Sequence, residues 1–360
     1  MALTYLATIK KRYCLNAMHS GKETYHIELD APFKYEVGDR IGVYPENDPR
    51  LVQQILDSFG ATGNETVIDS KKNSYPFKEY LLTKANLARI PKKLFTYTKK
   101  SHLLDPSNQQ ILKHYLETHH LFDLISEGPQ ISPQILCDCL SPLLPRFYSI
   151  ASSQQVVGDE IHLTVALSQN PPHFPTHYGT CSHFLCSRAQ IGRPAIPIFL
   201  DRAKNFFLPS ESVDKPLIMI GPGTGIAPFR GFMQQRIFQN APDKNWLFFG
   251  ERQQLTHFYY QSYWEELVKN NQLWLDCAFS RDQEEKIYVQ HKMLEKSHLI
   301  WKWLEEGAYL FVCGDAANMA KDVHKTLLEI LEKEGKMAPD EAKEYIKNLK
   351  KEHRYQRDVY

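Results

Sequence analysis

Gly221-Pro222-Gly223-Thr224-Gly225-Ile226-Ala227-Pro228 is the stretch whose reading decides the fold. It follows the fully apolar run Leu217-Ile218-Met219-Ile220 and leads into a helical pattern from Ile226 to about Gln239. A buried strand that ends in glycines and opens into a helix suits nucleotide binding. Glycine lets the backbone approach a pyrophosphate, and the helix N-terminus offers free N–H groups and partial positive charge. The spacing differs from G-x-G-x-x-G, so a strand-to-helix turn with no ligand stays open at this point.

Toward the C-terminus, Asn245 to Phe249, Leu273 to Phe279 and Tyr309 to Cys313 are further buried-strand candidates, with helical stretches between them and after Asp315. Alternating strands and helices predict an α/β doubly wound parallel sheet over residues 213–360. Toward the N-terminus the pattern is β in two blocks, 1–45 and 142–212. The first holds Thr4 to Tyr13, Tyr25 to Leu29 and Arg40 to Tyr44; the second holds Arg146 to Ala151, Ile161 to Leu167 and Ala195 to Phe199. Between them, 46–141 reads as a mostly helical insertion. Asp48-Pro49 is a helix start, Leu51, Val52, Ile55, Leu56 and Phe59 fall at helical spacing, and Gly60 closes the helix. The same start recurs at Asp105-Pro106 and Ser132-Pro133, while Asp69 to Tyr75 reads as a loop. Paired, the two β blocks make one antiparallel β-barrel interrupted by the helical insertion, so the chain is multidomain.

Composition bounds the function. The 360 residues are 42% hydrophobic and 24% charged, with a formal net charge of +1, which is globular and gives no basic excess for nucleic acid or a membrane surface. The longest apolar uncharged stretch, Pro216 to Phe229, contains three glycines and three prolines and falls short of the ~20 residues a membrane span needs. Met1 to Arg12 lacks the continuous apolar run of a secretory signal. Seven cysteines, an odd set without a C-x-x-C pair, read as free thiols in a reducing compartment, so a cytoplasmic location and no metal site are expected.

Two features disagree on which dinucleotide the glycine loop would hold. Glu251, after the second strand of the α/β region, would read a ribose 2′-hydroxyl and imply NAD. Ser280-Arg281-Asp282 and Lys286, after the third strand, suit a 2′-phosphate and imply NADP. Spacing leaves both open.

Four motifs occur in an order that resembles the diflavin reductase family: Arg146-Phe147-Tyr148-Ser149-Ile150-Ala151-Ser152, Gly179-Thr180-Cys181-Ser182, Gly221 to Phe229, and Cys313-Gly314-Asp315. Ser280-Arg281-Asp282-Gln283, Tyr288-Val289-Gln290 and the terminal Arg354 to Tyr360 extend the likeness, and Gly38-Asp39 and Asn47-Asp48-Pro49 carry it more loosely toward the N-terminus. The chain is similar to that family's FAD- and NADPH-binding half. The resemblance implies that Arg146 neutralises FAD pyrophosphate and that Tyr148 stacks on the flavin. Ser149 would bond near flavin N5, while Gly179 and Ser182 form the flavin phosphate turn. It implies further that Gly223, Thr224 and Gly225 hold the NADPH pyrophosphate. Ser280, Arg281, Lys286, Tyr288 and Gln290 would grip the 2′-phosphate end, with Arg252 assisting, which favours NADPH. Cys313 and Asp358 would join Ser149 at the nicotinamide. Tyr360 would cover the other flavin face and move aside before nicotinamide can stack.

Some positions depart from the family. The chain starts at about the FAD barrel, so no FMN is expected in it. Phe207 replaces a common arginine, Cys181 a small residue, and Pro171 to Tyr178, with His173 and His177, reads as a loop unlike the family's. The implied activity is an FAD-dependent NADPH oxidoreductase passing electrons to a separate one-electron acceptor protein: a flavodoxin, a ferredoxin or a haem protein. The rival is a non-catalytic reductase-like scaffold that docks a haem protein; the completeness of Arg146, Tyr148, Ser149, Cys313, Asp358 and Tyr360 argues against it.

Overall fold

The structure is a computed structural model and describes residues 4–126, 131–169 and 178–360; of the loop expected from Pro171 to Tyr178, all but Tyr178, and so both His173 and His177, lies outside them. Among the described residues the first sheet is formed by β1 (Tyr5–Cys14), β2 (Thr24–Asp30), β3 (Arg40–Val43), β6 (Arg146–Ser149), β7 (Glu160–Ala166) and β8 (Pro194–Asp201). Their order is β6-β3-β8-β1-β2-β7, every pair antiparallel. The two edges meet where Ile150, just past β6, bridges Leu163 of β7 and Ala151 N–H donates to His162 C=O at 2.7 Å. The sheet closes into a barrel and leaves no free edge at that seam. Ile27, Leu29, Ile41, Val43, Ile196 and Ile198 fill its interior.

The described residues between 49 and 139 form helices on one core of their own, together with a small hairpin of β4 (Thr66–Ile68) and β5 (Ser74–Pro76). The first helix, Pro49–Ser58, starts as expected: Asp48 accepts from Arg50 N–H, and Gly60 takes φ +58° beyond the C-cap. The segment from Asp69 to Tyr75 is not one open loop. Asp69 accepts from the N–H groups of Lys71 and Asn73 and from the Asn73 side chain, which makes it the tip of the hairpin, with Tyr75 already in β5.

The second sheet is parallel, in the order β11 (Trp274–Phe279), β10 (Asn245–Glu251), β9 (Leu217–Ile220), β12 (Tyr309–Gly314), β13 (Tyr355–Val359). Its central strands are apolar throughout because helices cover both faces. Ile218, Ile220, Phe248, Leu310 and Val312 point to one layer with helices Met319–Lys333 and Pro339–Lys351. Leu217, Met219, Leu247, Phe249 and Phe311 point to the other, with helix Ala227–Phe238. Chain order reverses between β9 and β12, so their carboxyl ends make the topological switch point where such sheets bind ligands. The edge strand β13 is not legible in the sequence, since Gln356, Arg357 and Asp358 break any apolar pattern.

The barrel and the parallel sheet share a polar seam. Tyr260 hydroxyl sits 3.0 Å from His26 Nδ1 and 2.7 Å from Thr164 Oγ1, and Arg230 donates to Ala151 C=O at 2.8 Å and meets His162 Nδ1 at 3.2 Å. Tyr260 adopts φ +58°, a strained conformation for a bulky residue, and these contacts hold it there. Ligand-type atoms of His26, Glu28 and His162 lie within 4.8 Å of one another, but a guanidinium already occupies one histidine, so we read the group as part of the seam.

Both histidines are held neutral. Burial, then Arg230, lowers His26 to about 2 from an ordinary 6.5, and the same two causes lower His162. A histidine with a depressed folded pKa binds its proton better in the unfolded chain. Its contribution is therefore complete above about pH 6.5 and is lost as pH falls below that, by up to about 1.4 kcal/mol per pH unit for each. Tm should drop between pH 7 and pH 5, and His26→Gln should flatten that drop. A slope unchanged in the variant would remove His26 from the acid response.

Candidate functional site

The switch point is built by close approach. A Cβ placed on Gly225 would lie 2.0 Å from the Cys313 carbonyl oxygen, so only glycine lets the loop seat against the end of β12. Gly223 adopts φ +59° and faces open space, with the Glu251 carboxylate the nearest group at 3.6 Å from its ideal Cβ. The loop itself is a short 3-10 turn, Gly223–Ile226, running into helix Ala227–Phe238.

Beside it, two sheets contribute to one cluster. Asp358 on β13 stands in register with Cys313 on β12. Its Oδ2 accepts from Ser149 Oγ of the barrel at 2.8 Å, and its Oδ1 lies 3.3 Å from Arg40 Nη1, also of the barrel. Burial holds the Cys313 thiol well above its ordinary range, and the nearby Asp358 charge adds to this while the Ser149 hydroxyl opposes it. The thiol is thus neutral here, a weak dipole and packing group in place of a nucleophile. Ser149, Cys313 and Asp358, which the resemblance grouped in one cluster, meet; Arg40 and its second partner Asp201 were missed. A charged residue inside the short strand Arg40–Val43 was the available signal.

Tyr360 follows directly. Its N–H donates to Gly314 C=O and its own C=O accepts from Ala316 N–H, both at 3.1 Å, while its hydroxyl lies 2.8 Å from Thr224 Oγ1. The residue as a whole remains 64% exposed. Tyr360 and the glycine loop are therefore in direct contact.

On the barrel side, alternation along β6 sends Tyr148 and Ser149 to opposite faces. Tyr148 packs at the margin of the barrel core with its hydroxyl beside the Cys181 thiol, which burial pushes up to about 12. Arg146 and Phe147 are exposed. Gly179 precedes the helical turn Thr180–His183, and Ser182 Oγ donates to Gly179 C=O and accepts from Ser168 N–H, both at 3.1 Å. Its hydroxyl shapes the turn, which leaves backbone N–H groups as the donors a phosphate would find there.

At the far end of the parallel sheet, Ser280 N–H donates to Glu251 C=O and Arg281 N–H to Arg252 C=O, at 2.9 and 2.7 Å. This sets Arg252, Ser280 and Arg281 side by side. Tyr288 caps helix Val289–Glu295, and Lys286 is exposed on the loop before it. Gln290 reaches Asp322 at 3.2 Å. The Glu251 carboxylate is spent elsewhere: it pairs with Lys22 of the barrel and accepts from Tyr259 hydroxyl at 3.1 Å and Arg252 N–H at 2.8 Å. Although burial opposes it, the Lys22 cation holds this carboxylate below its usual range.

These residues fit a flavin and a dinucleotide. A glycine cradle at a switch point, a cationic edge beyond it and a hydroxyl–thiol–carboxylate cluster between two sheets define the class of nucleotide-binding flavoprotein oxidoreductases. The family comparisons agree: an FAD binding domain matches residues 2–121 and 98–184, and an oxidoreductase NAD-binding domain matches 219–325. The chain belongs to this family of FAD- and NAD-binding flavoproteins. It is 41% identical, over 99% of its length, to the sulfite reductase (NADPH) flavoprotein alpha-component of Bacillus subtilis (strain 168), and covers 61% of that protein. The same-named protein of Vibrio cholerae serotype O1 (El Tor Inaba N16961) is also 41% identical over 99% of the chain, with 59% of it covered. That of Photobacterium profundum is 40% identical, with 60% covered. The chain thus spans about three fifths of the length of these relatives. No helix among the described residues is long and apolar enough to cross a membrane.

Proposed function

We propose that the chain is the FAD- and NADPH-binding reductase module of a sulfite-reductase-type flavoprotein, taking hydride from NADPH and passing electrons to a separate one-electron acceptor. The acceptor we favour is a haem protein, with a flavodoxin or ferredoxin serving the same chemistry. The observation that carries this reading is the Ser149–Asp358–Cys313 cluster, assembled from two sheets beside the glycine loop. FAD, when bound, supplies the redox chemistry, because a flavin accepts electrons in a pair and releases them singly.

The chain's own residues bind, orient and exclude water. Arg146 and the Gly179–Ser182 turn would hold the flavin phosphates, Tyr148 would offer a flat face to the ring, and Ser149 would reach its edge. Gly223, Thr224 and Gly225 would take the pyrophosphate of NADPH. Asp358 would face the nicotinamide, where a fixed carboxylate stabilises the positive charge that develops as hydride leaves. Tyr360 would cover a bound flavin until the dinucleotide arrives. Because its hydroxyl is held by Thr224, a pyrophosphate entering the loop competes for the same group and favours the open gate.

NADPH is preferred to NADH on this reading. Lys22 and Tyr259 engage the carboxylate that would otherwise read a ribose hydroxyl, while Arg252, Ser280, Arg281, Lys286, Tyr288 and Gln290 surround the position of a 2′-phosphate. Burial lowers His257; the Glu251 carboxylate opposes this, while Lys22, Arg252 and Arg281 each lower it further. Arg281→Ala should raise the KM for NADPH about tenfold to a hundredfold, the worth of a charged hydrogen bond, with under about twofold change for NADH. Equal effects on both cofactors in steady-state assays would make Arg281 structural.

A further inference from the structure

Arg40 lies at the centre of an interaction that the residues above do not explain. On β3 it stands in register with Ser149 of β6 on one side and Asp201 of β8 on the other. Its Nε and Nη2 both donate to Asp201 Oδ2, at 3.1 and 2.7 Å, and its Nη1 reaches Asp358 Oδ1 at 3.3 Å. The guanidinium carbon lies 5.5 Å from the centre of the Phe147 ring. One planar fork therefore spans two carboxylates from two different sheets, a geometry that lysine cannot reproduce.

We propose that Arg40 is a positioning residue for hydride transfer, acting through Asp358; this rests on the reductase reading above. Asp358 arrives on an edge strand, and its two carboxylate oxygens are engaged from the barrel, Oδ2 by Ser149 and Oδ1 by Arg40. Two donors from a rigid sheet fix both the place and the rotation of the carboxylate, whereas one would leave it free to turn. Orientation of this kind matters because displacement of a reacting neighbour by about 1 Å costs up to about a hundredfold in rate.

Asp201 completes the arrangement electrostatically. A lone Arg40–Asp358 pair would be neutral and would cancel the charge that the nicotinamide needs to meet. With Asp201 taking two of the guanidinium N–H groups, the trio carries one net negative charge. The side chain of Asp358 is 10% exposed and that of Asp201 33%, so the charge closest to the switch point is the better shielded from water. Arg40 thus holds the carboxylate in place without extinguishing it.

The test uses FAD-loaded protein and two readouts. Before NADPH is added, amide hydrogen exchange over residues 355–360 should quicken several-fold in Arg40→Ala. With saturating NADPH under anaerobic conditions, the flavin reduction rate should fall about tenfold while the half-saturating NADPH concentration stays within about twofold. Asp358→Asn should also be slow, and Arg40→Ala in that background should cause no further loss. Arg40→Lys, which keeps a cation beside Asp201 but cannot span both carboxylates, should reduce flavin more slowly than wild type, and supplies the test where Arg40→Ala does not fold. A wild-type rate in either Arg40 variant, or losses that multiply in the double variant, overturns the proposal alone. Failure of NADPH to reduce the wild-type flavin overturns both the proposal and the reductase reading.

Discussion

Asp358 is one carboxylate held by two sheets, and the geometry of the site depends on that sharing. The strand β13 is bound to β12 by its backbone and to the barrel by its side chain, through Ser149 and Arg40. If the parallel sheet tilted away from the barrel, both contacts would break, and Cys313, which moves with Asp358, would lose Ser149. A second polar seam, where Arg230 and Tyr260 meet His26, His162 and Thr164, fixes the same relation. Catalytic geometry between two modules is only as good as the contacts that set their angle, and here the polar contacts are made by groups with little freedom of their own.

A second constraint is steric. The glycine loop can rest on the end of β12 only because Gly225 has no side chain, since any Cβ would meet the Cys313 carbonyl. That contact brings the expected phosphate-binding backbone against the strand that carries the cluster. Thr224 on the loop and Tyr360 beyond β13 then touch. On the proposed reading, this one hydroxyl pair would couple phosphate recognition to flavin access with no long pathway between them.

Much of the fold was legible because it rests on local patterns with clear physics. The apolar run Leu217 to Ile220 had to be a two-sided buried strand, and Asp48-Pro49 had to start a helix. The hairpin at Thr66–Pro76 was hidden because three-residue strands carry too little alternation to distinguish them from a polar loop. The strand β13 was hidden for another reason: at a sheet edge its polar residues serve the site, so the burial pattern that betrays a strand is missing. Motif likeness grouped Ser149, Cys313 and Asp358 in one cluster. The part of Arg40 and Asp201 in it depends on register between strands distant in sequence. Between Glu251 and Ser280-Arg281 spacing alone could not choose; the resemblance favoured the second, and the pairing of Glu251 with Lys22, over two hundred residues away in the chain, could not be read from sequence.

The most direct test of the account is an anaerobic titration of FAD-loaded protein with NADPH and, separately, with NADH, followed by flavin absorbance. The account predicts bleaching by stoichiometric NADPH and poor bleaching by NADH at the same concentrations. Bound FAD that neither dinucleotide bleaches would contradict it, leaving the assembled cluster without the reaction to which its geometry points.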